Sequence, residues 1–210
     1  MIIMDLKKLF TQTYRQNKWA SKESRSGTGS DLAYTKWVRK LIVELVDGGV
    51  ETIWDCSCGD WNWMKEIKES LPNYVGNDIV PDLIDRNKTN FGSDNIKFQC
   101  GDMLNELKLL KDSSIDLVLC RHTLEHLPTN YTISVVREIR RVSKMALITS
   151  TSDTNNSMIV PNGYNARPIN LEMDSYFEIL GNPKSKHYDS AGEQFDSSSN
   201  LNLYEFKNNI

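Results

Sequence analysis

The sequence predicts a doubly wound α/β fold, an open and mostly parallel sheet with helices on both faces. Three observations lead there. Five short strand-like runs alternate with helix-like segments between residues 52 and 149, and strands separated by helices imply a parallel sheet with covered faces. The chain has 210 residues, 39% of them hydrophobic and 25% charged, which suits one soluble globular domain with a sizeable core. Asp55, Asp78 and Asp102 stand at or just past the ends of three successive runs, where open α/β sheets bind their ligands.

The elements follow in order. Met4 to Trp19 carries Leu6, Leu9, Phe10 and Tyr14 at helical spacing. Ser21 to Ser30 is rich in small polar residues and reads as a loop. Asp31 to Val46 is an amphipathic helix, with Ser30 or Asp31 as its cap and Gly48-Gly49 as its stop. The first strand is Thr52 to Cys56, followed by a helix from Trp61 to Ser70. The second strand is Tyr74 to Ile79, with a short helix from Pro81 to Asn90 after it. Ile96 to Cys100 and Ile115 to Cys120 are the third and fourth strands, and Thr129 to Val142 is a helix leading to a fifth strand, Met145 to Thr149. The last sixty residues are polar, with apolar islands at Met158 to Val160 and Leu201 to Phe206 that read as late strands, an antiparallel pair at the sheet edge. Residues 1–48 are expected to supply N-terminal helices and a covering loop, and 49–210 the core with a C-terminal substrate wall, all in one globular domain.

Composition narrows the function. A formal net charge of −3 does not favour a polyanionic partner such as nucleic acid. No apolar run approaches the roughly 20 residues of a membrane span, and the N-terminus lacks the features of a signal peptide, so a cytoplasmic location is expected. Cys56, Cys58, Cys100 and Cys120 all fall at apparent strand ends, and a reducing compartment is the simplest reading. Cys56-x-Cys58 has no second pair at zinc spacing, and no metal is assigned. There is no internal repeat.

The chemistry collects at the strand ends. The first strand runs into Asp55-Cys56-Ser57-Cys58-Gly59-Asp60-Trp61, a tight turn that lets backbone approach a ligand. The second ends at Asp78-Ile79, where an acid can accept both hydroxyls of a ribose. The third leads to Gly101-Asp102-Met103, where the Asp can accept from an adenine amino group and Met103 can lie against the ring. The fourth runs into Arg121-His122-Thr123-Leu124-Glu125-His126-Leu127-Pro128.

This succession resembles the class I S-adenosylmethionine-dependent methyltransferase family over roughly residues 50 to 150. The resemblance implies a Rossmann-like, seven-stranded sheet and S-adenosyl-L-methionine as cofactor. It implies that Asp55 with Ser57, Cys58 and Gly59 holds the methionine part, Asp78 and Ile79 the ribose, and Asp102 and Met103 the adenine, with Arg121 also at the cofactor. The family loop usually reads acid-x-Gly-x-Gly-x-Gly. Here Ser57 and Trp61 replace its outer glycines, and Trp61 is expected to cover part of the cofactor or substrate pocket. A nicotinamide fold would show G-x-G-x-x-G after its first strand, and this chain has none. His122-x-x-Glu125-His126 matches an inverse zinc motif in form, but Pro128 prevents the regular helix a metalloprotease needs there.

For an acceptor hydroxyl, His122 is the expected general base because histidine titrates near neutrality, with Glu125 and His126 as second choices. Asp153, Glu172 and Asp174 lack a fixed metal spacing. The flanks, Trp19 to Ser21, Ser26 to Asp31 and Asn165 to Leu171, resemble sugar O-methyltransferase domains of polysaccharide-assembly systems and large viruses. That resemblance implies a glycan hydroxyl such as one of rhamnose as acceptor, and glycosyltransferase domains as partners. Trp19, Trp61, Trp63, Tyr164 and Tyr176 are candidate platforms for a sugar ring. Other acceptors, such as a small metabolite or RNA, and a non-catalytic cofactor-binding module remain open at this point.

Overall fold

The computed structural model describes residues 5–152, 156, 165–189 and 199–206. Asp153, Tyr164 and the Met158 to Val160 island lie outside the described residues.

An N-terminal helix, α1 (Leu6–Arg15), begins where the Asp5 carboxylate accepts from the Lys8 amide at 3.0 Å. The longer α2 (Leu32–Asp47) stops at Gly48, as expected. Asp31 precedes it but does not cap it, because its carboxylate accepts from the Ser21 hydroxyl at 2.6 Å. The strands β1 (Thr52–Asp55), β2 (Asn73–Asp78), β3 (Ile96–Cys100), β4 (Ile115–Cys120) and β5 (Ser143–Thr151) match the five sequence runs to within two residues. Between them lie α3 (Pro81–Phe91), α4 (Met103–Lys108) and α5 (Thr129–Val142). After β5 come α6 (Asp174–Leu180), β6 (Ser185–Asp189) and β7 (Ser199–Glu205).

The sheet has seven strands in the order β3-β2-β1-β4-β5-β7-β6. β1 to β5 pair in parallel, and β7 runs antiparallel between β5 and β6. Order reverses between β1 and β4, so a crevice opens past their carboxyl ends. Side chains alternate across the sheet. Ile53, Leu117 and Leu147 join one apolar layer with Ile42, Leu83 and Trp61. Trp54, Val118 and Ile148 join the other with Val135, Ile139 and Tyr204.

Two expectations need correction. Residues 61–70 do not form an α-helix; only Met64–Ser70 turns, as a 3₁₀ segment with a kink at Ile67. Trp61 adopts φ +58° and buries its ring among Tyr74, Phe91 and Phe98 at 5.0–5.7 Å between centroids. That packing outweighs the local helical periodicity. The antiparallel edge pair is β6 with β7; only β7 belongs to an expected island. β6 went unseen because its sequence, Ser-Lys-His-Tyr-Asp, carries no apolar run. Among the described residues no helix is long and apolar enough to cross a membrane.

Candidate active site

A cavity of about 400 Å³ lies past the carboxyl ends of β1, β2 and β4, within the size range of small-molecule sites. Its floor is the turn after β1. Gly59 takes φ +56° there, and its amide donates to the Asp78 carboxylate at 3.2 Å. The other Asp78 oxygen accepts from the Val80 amide at 3.0 Å, so the acid is anchored at the tip of β2. Burial nevertheless pushes its pKa up to about 6. Asp55 is buried and accepts from the Tyr74 hydroxyl at 2.8 Å. Its pKa rises to about 7, burial outweighing the Tyr74 and Ser57 hydrogen bonds. The Ser57 hydroxyl contacts that of Thr123 across the crevice.

The roof comes from the N-terminal segment. Asp60 accepts from the Ser24 hydroxyl at 2.8 Å and the Arg25 amide at 2.9 Å, while the Asp60 amide donates to Ser26 Oγ at 2.8 Å. Asn62 donates to Glu23 at 2.7 Å and to the Ser30 carbonyl at 3.0 Å. These bonds hold residues 23–30 over the turn, and Phe10, Tyr14 and Trp19 complete the cover.

The post-β4 segment forms the far wall. Arg121 is buried and bidentate on Asp189, at 2.8 and 2.9 Å, and donates to the Gly29 carbonyl at 2.7 Å. It therefore ties β4 to β6 and to the cover. His122 has φ +50° and both ring nitrogens occupied, Nδ1 on Glu125 at 2.9 Å and Nε2 on Asp189 at 3.1 Å. Burial and Arg121 lower its pKa, but hydrogen bonds to Asp189 and Glu125 prevail and raise it. Glu125 is buried; Oε1 faces His122, and Oε2 has no partner among the described residues. Its pKa is lowered, the pull of His122 outweighing burial. His126 pairs Nδ1 with the Asn165 carbonyl at 3.2 Å, and burial lowers its pKa. A carbonyl only accepts, so Nδ1 carries the proton and Nε2 the lone pair.

Most of the sequence candidates meet in this one cavity: Asp55, Ser57, Cys58, Gly59, Asp78, Ile79, Met103, Arg121, His122, Glu125 and His126 all line it. Trp61 does not, because it is spent in the aromatic core, and Tyr176 is likewise a core residue. Asp102 lies in an adjoining recess with Ile79, Gly101 and Tyr131. There it accepts from the Tyr131 hydroxyl at 2.8 Å and caps α4 through the Asn105 amide at 3.1 Å. The acids thus split into a pair in the main cavity and a neighbour beside it. Arg121 lines the cavity and also clamps the walls together, three of its five N–H groups donating to protein oxygens. His122, the expected base, has a carboxylate oxygen at each ring nitrogen, which leaves neither nitrogen facing an open position for an acceptor proton. No side chain caps the N-terminus of α5. Glu172 pairs with Lys186 at 2.6 Å and Asp174 accepts from Asn156 at 3.2 Å. Sequence reasoning missed Asp60, Tyr131 and Asp189. Asp60 sat inside the quoted turn, whereas nothing marked Asp189 within its polar stretch.

Residues 54–146 match the family described as Methyltransferase domain. The matched span is 93 of the 210 residues and is similar to a methyltransferase domain. No curated protein matches the chain significantly. Among solved structures, the Burkholderia thailandensis 1,6-didemethyltoxoflavin-N1-methyltransferase, with 1,6-didemethyltoxoflavin and S-adenosylhomocysteine bound, is 13% identical at TM-score 0.71, covering 96% of this chain and 88% of that one. The magnesium protoporphyrin IX methyltransferase of Synechocystis PCC 6803, with S-adenosylmethionine bound, is 15% identical at TM-score 0.66, covering 98% and 99%. The N-terminal domain of EvdMO1, in the presence of S-adenosylhomocysteine and D-fucose, is 13% identical at TM-score 0.60, covering 98% of each. At such identities the likeness is one of fold.

The methyltransferase domain fits S-adenosylmethionine as its cofactor on its own geometry. A Cβ at Gly59 would lie 2.4 Å from Ser26 Oγ, so turn and cover meet closely only around a glycine. Asn77 lines the cavity with a buried Oδ1 that lacks a partner among the described residues. Asp78 presents a carboxylate suited to a diol, beside apolar Ile79 and Met103.

Proposed function

We propose that the chain transfers the methyl group of S-adenosylmethionine to a hydroxyl of a sugar or related polyol, with His126 taking up the hydroxyl proton. The observation that carries this reading is the 3.2 Å contact of His126 Nδ1, in a cavity residue, with the Asn165 carbonyl: a carbonyl only accepts, so the neutral ring keeps its lone pair on Nε2. Its lowered pKa keeps it neutral at physiological pH.

The cofactor, when bound, supplies an electrophilic methyl on a sulfonium. Asp78 would hold the ribose hydroxyls, Ile79 and Met103 the adenine, and Asp55 with the Ser57 to Gly59 turn the methionine part. Residues 23–30 exclude water from above. The acceptor side carries the Trp19 ring, 5.8 Å from that of His126, with the polar residues Ser26, Thr28 and Ser30 also lining the cavity. An apolar platform beside polar groups suits a sugar ring. The EvdMO1 domain, studied with D-fucose, is consistent with that class. The same Trp19–His126 wall also suits a flat heteroaromatic ring, the kind of ligand bound in the toxoflavin enzyme.

Incubation with labelled cofactor and a panel of methyl glycosides, oligosaccharides, heteroaromatic rings and RNA, read by mass, tests the assignment. Methylated glycoside is expected. Methylation of heteroaromatics or RNA alone overturns the sugar acceptor, and tight cofactor binding without transfer to any class would make the chain a binding module. His126→Gln should lower kcat about 100-fold or more with S-adenosylhomocysteine affinity intact. Wild-type turnover in that variant removes His126 from the proton-accepting role.

A further inference from the structure

Asp189 lies at the end of β6, remote in sequence from the methyltransferase span, and its side chain is fully buried. Its Oδ2 accepts from His122 at 3.1 Å and from Arg121 at 2.8 Å. On the far side of the imidazole, Glu125 Oε1 accepts from His122 Nδ1 at 2.9 Å. Three side chains therefore form one line, carboxylate, imidazole, carboxylate. The line ends in Glu125 Oε2, a buried oxygen with no partner among the described residues, on a residue of the cavity wall.

We propose that Asp189 is a positioning residue of the methyl-transfer site: through His122 it fixes one oxygen of Glu125 and leaves the other, Oε2, for a hydrogen-bond donor of the acceptor. Each bond in the line has a direction. Glu125 and Asp189 are both held below their ordinary values, and while both are ionised neither can donate, so both ring nitrogens do and His122 is held as an imidazolium. An imidazolium pinned at both nitrogens cannot rotate without breaking a charged hydrogen bond, so Glu125 inherits a fixed orientation. An unpaired buried carboxylate oxygen is costly and is relieved by a ligand O–H or N–H. An acceptor that carries a second donor near its methylated hydroxyl, as a vicinal diol does, would satisfy Oε2. The functional part of this inference rests on the methyl-transfer reading; the charge and geometry of the line do not.

The groups that act on His122 are Asp189 from β6, Arg121 on the same turn, and Glu125 and His126 from the turn after it. His122, His126 and His187 are the three histidines of the chain, so their ring protons can be assigned by NMR in single His→Gln variants. With S-adenosylhomocysteine present, wild-type His122 should titrate above the ordinary 6.5. Asp189→Asn should lower that value by about one to three units, Glu125→Gln should lower it too, and Asp189→Glu should restore most of it. A wild-type value at or below 6.5, or no change in Asp189→Asn, overturns the proposal. The wild-type titration decides alone if the variants fail to fold. In the transfer assay Asp189→Asn should raise acceptor KM about tenfold or more, with a smaller fall in kcat; the reverse split overturns the positioning role. The titration uses no acceptor, so a failed sugar reading and a failed Asp189 reading are told apart.

Discussion

Asp55 and Asp78 are carboxylates kept where water is scarce, and both hold protons more tightly than free aspartate. The cost of burial exceeds the gain from their hydrogen bonds, as is common for carboxylates gathered at a binding site. Asp78→Ala should weaken cofactor binding about 10- to 100-fold, since contacts to a charged acceptor are lost; unchanged affinity by calorimetry would remove Asp78 from the ribose site. Asp55 links the site to stability. Its ordinary value is 3.8 and its folded value about 7. Between these the folded chain holds a proton that the unfolded chain releases. The resulting stabilisation is complete below 3.8 and is lost as pH rises through about 7. Asp55→Asn keeps an acceptor for Tyr74 but no longer ionises. It should flatten the pH dependence of Tm between 4 and 8 and raise Tm at pH 8, by up to roughly 4 kcal/mol in stability. An unaltered slope would place the titrating group elsewhere.

At the scale of elements, the cover and the β1 turn act as one unit. Asp60 and Asn62 hold residues 23–30, and Arg121 holds Gly29 from the opposite wall. Gly59 is where the two sides touch. Gly59→Ala combines a positive φ with a Cβ that overlaps Ser26 Oγ. It should cost about 1–3 kcal/mol, and limited proteolysis should then cut within residues 16–31 while the sheet core resists. Equal protection in both proteins would show that the cover is held elsewhere. The helices were legible to different degrees. α5 coincides with its sequence prediction, because its apolar positions follow the 3.6-residue period and nothing competes with them. The 61–70 segment carried a similar signal and failed, because Trp61 has a better place among Tyr74, Phe91 and Phe98 than on a helix.

Across the whole molecule, the site draws on all three parts of the chain: the cover, the parallel core and the C-terminal hairpin. The hairpin closes the sheet beside β5 and carries Asp189 into the active-site wall. Tyr204, fully buried on β7 and stacked on Phe206 at 6.3 Å, fastens it to the α5 layer. Tyr204→Ala should destabilise by about 3–5 kcal/mol in urea; a loss under about 1 kcal/mol would mean that the hairpin is not part of the cooperative core.

The sequence by itself determined the parallel strands, the turn after β1 and the acids at the strand tips. Those features are written in local periodicity and in turn-forming residues, each read within a dozen positions. Only the tertiary structure decided which groups act together. It moved Asp102 into a side recess with Tyr131 and buried Trp61 in the core. It also gave His122 a carboxylate at each ring nitrogen and His126 a carbonyl at Nδ1, Asp189 arriving from 67 residues away to reach the second nitrogen of His122. Protonation depends on partners brought together by folding, and no local pattern encodes their meeting.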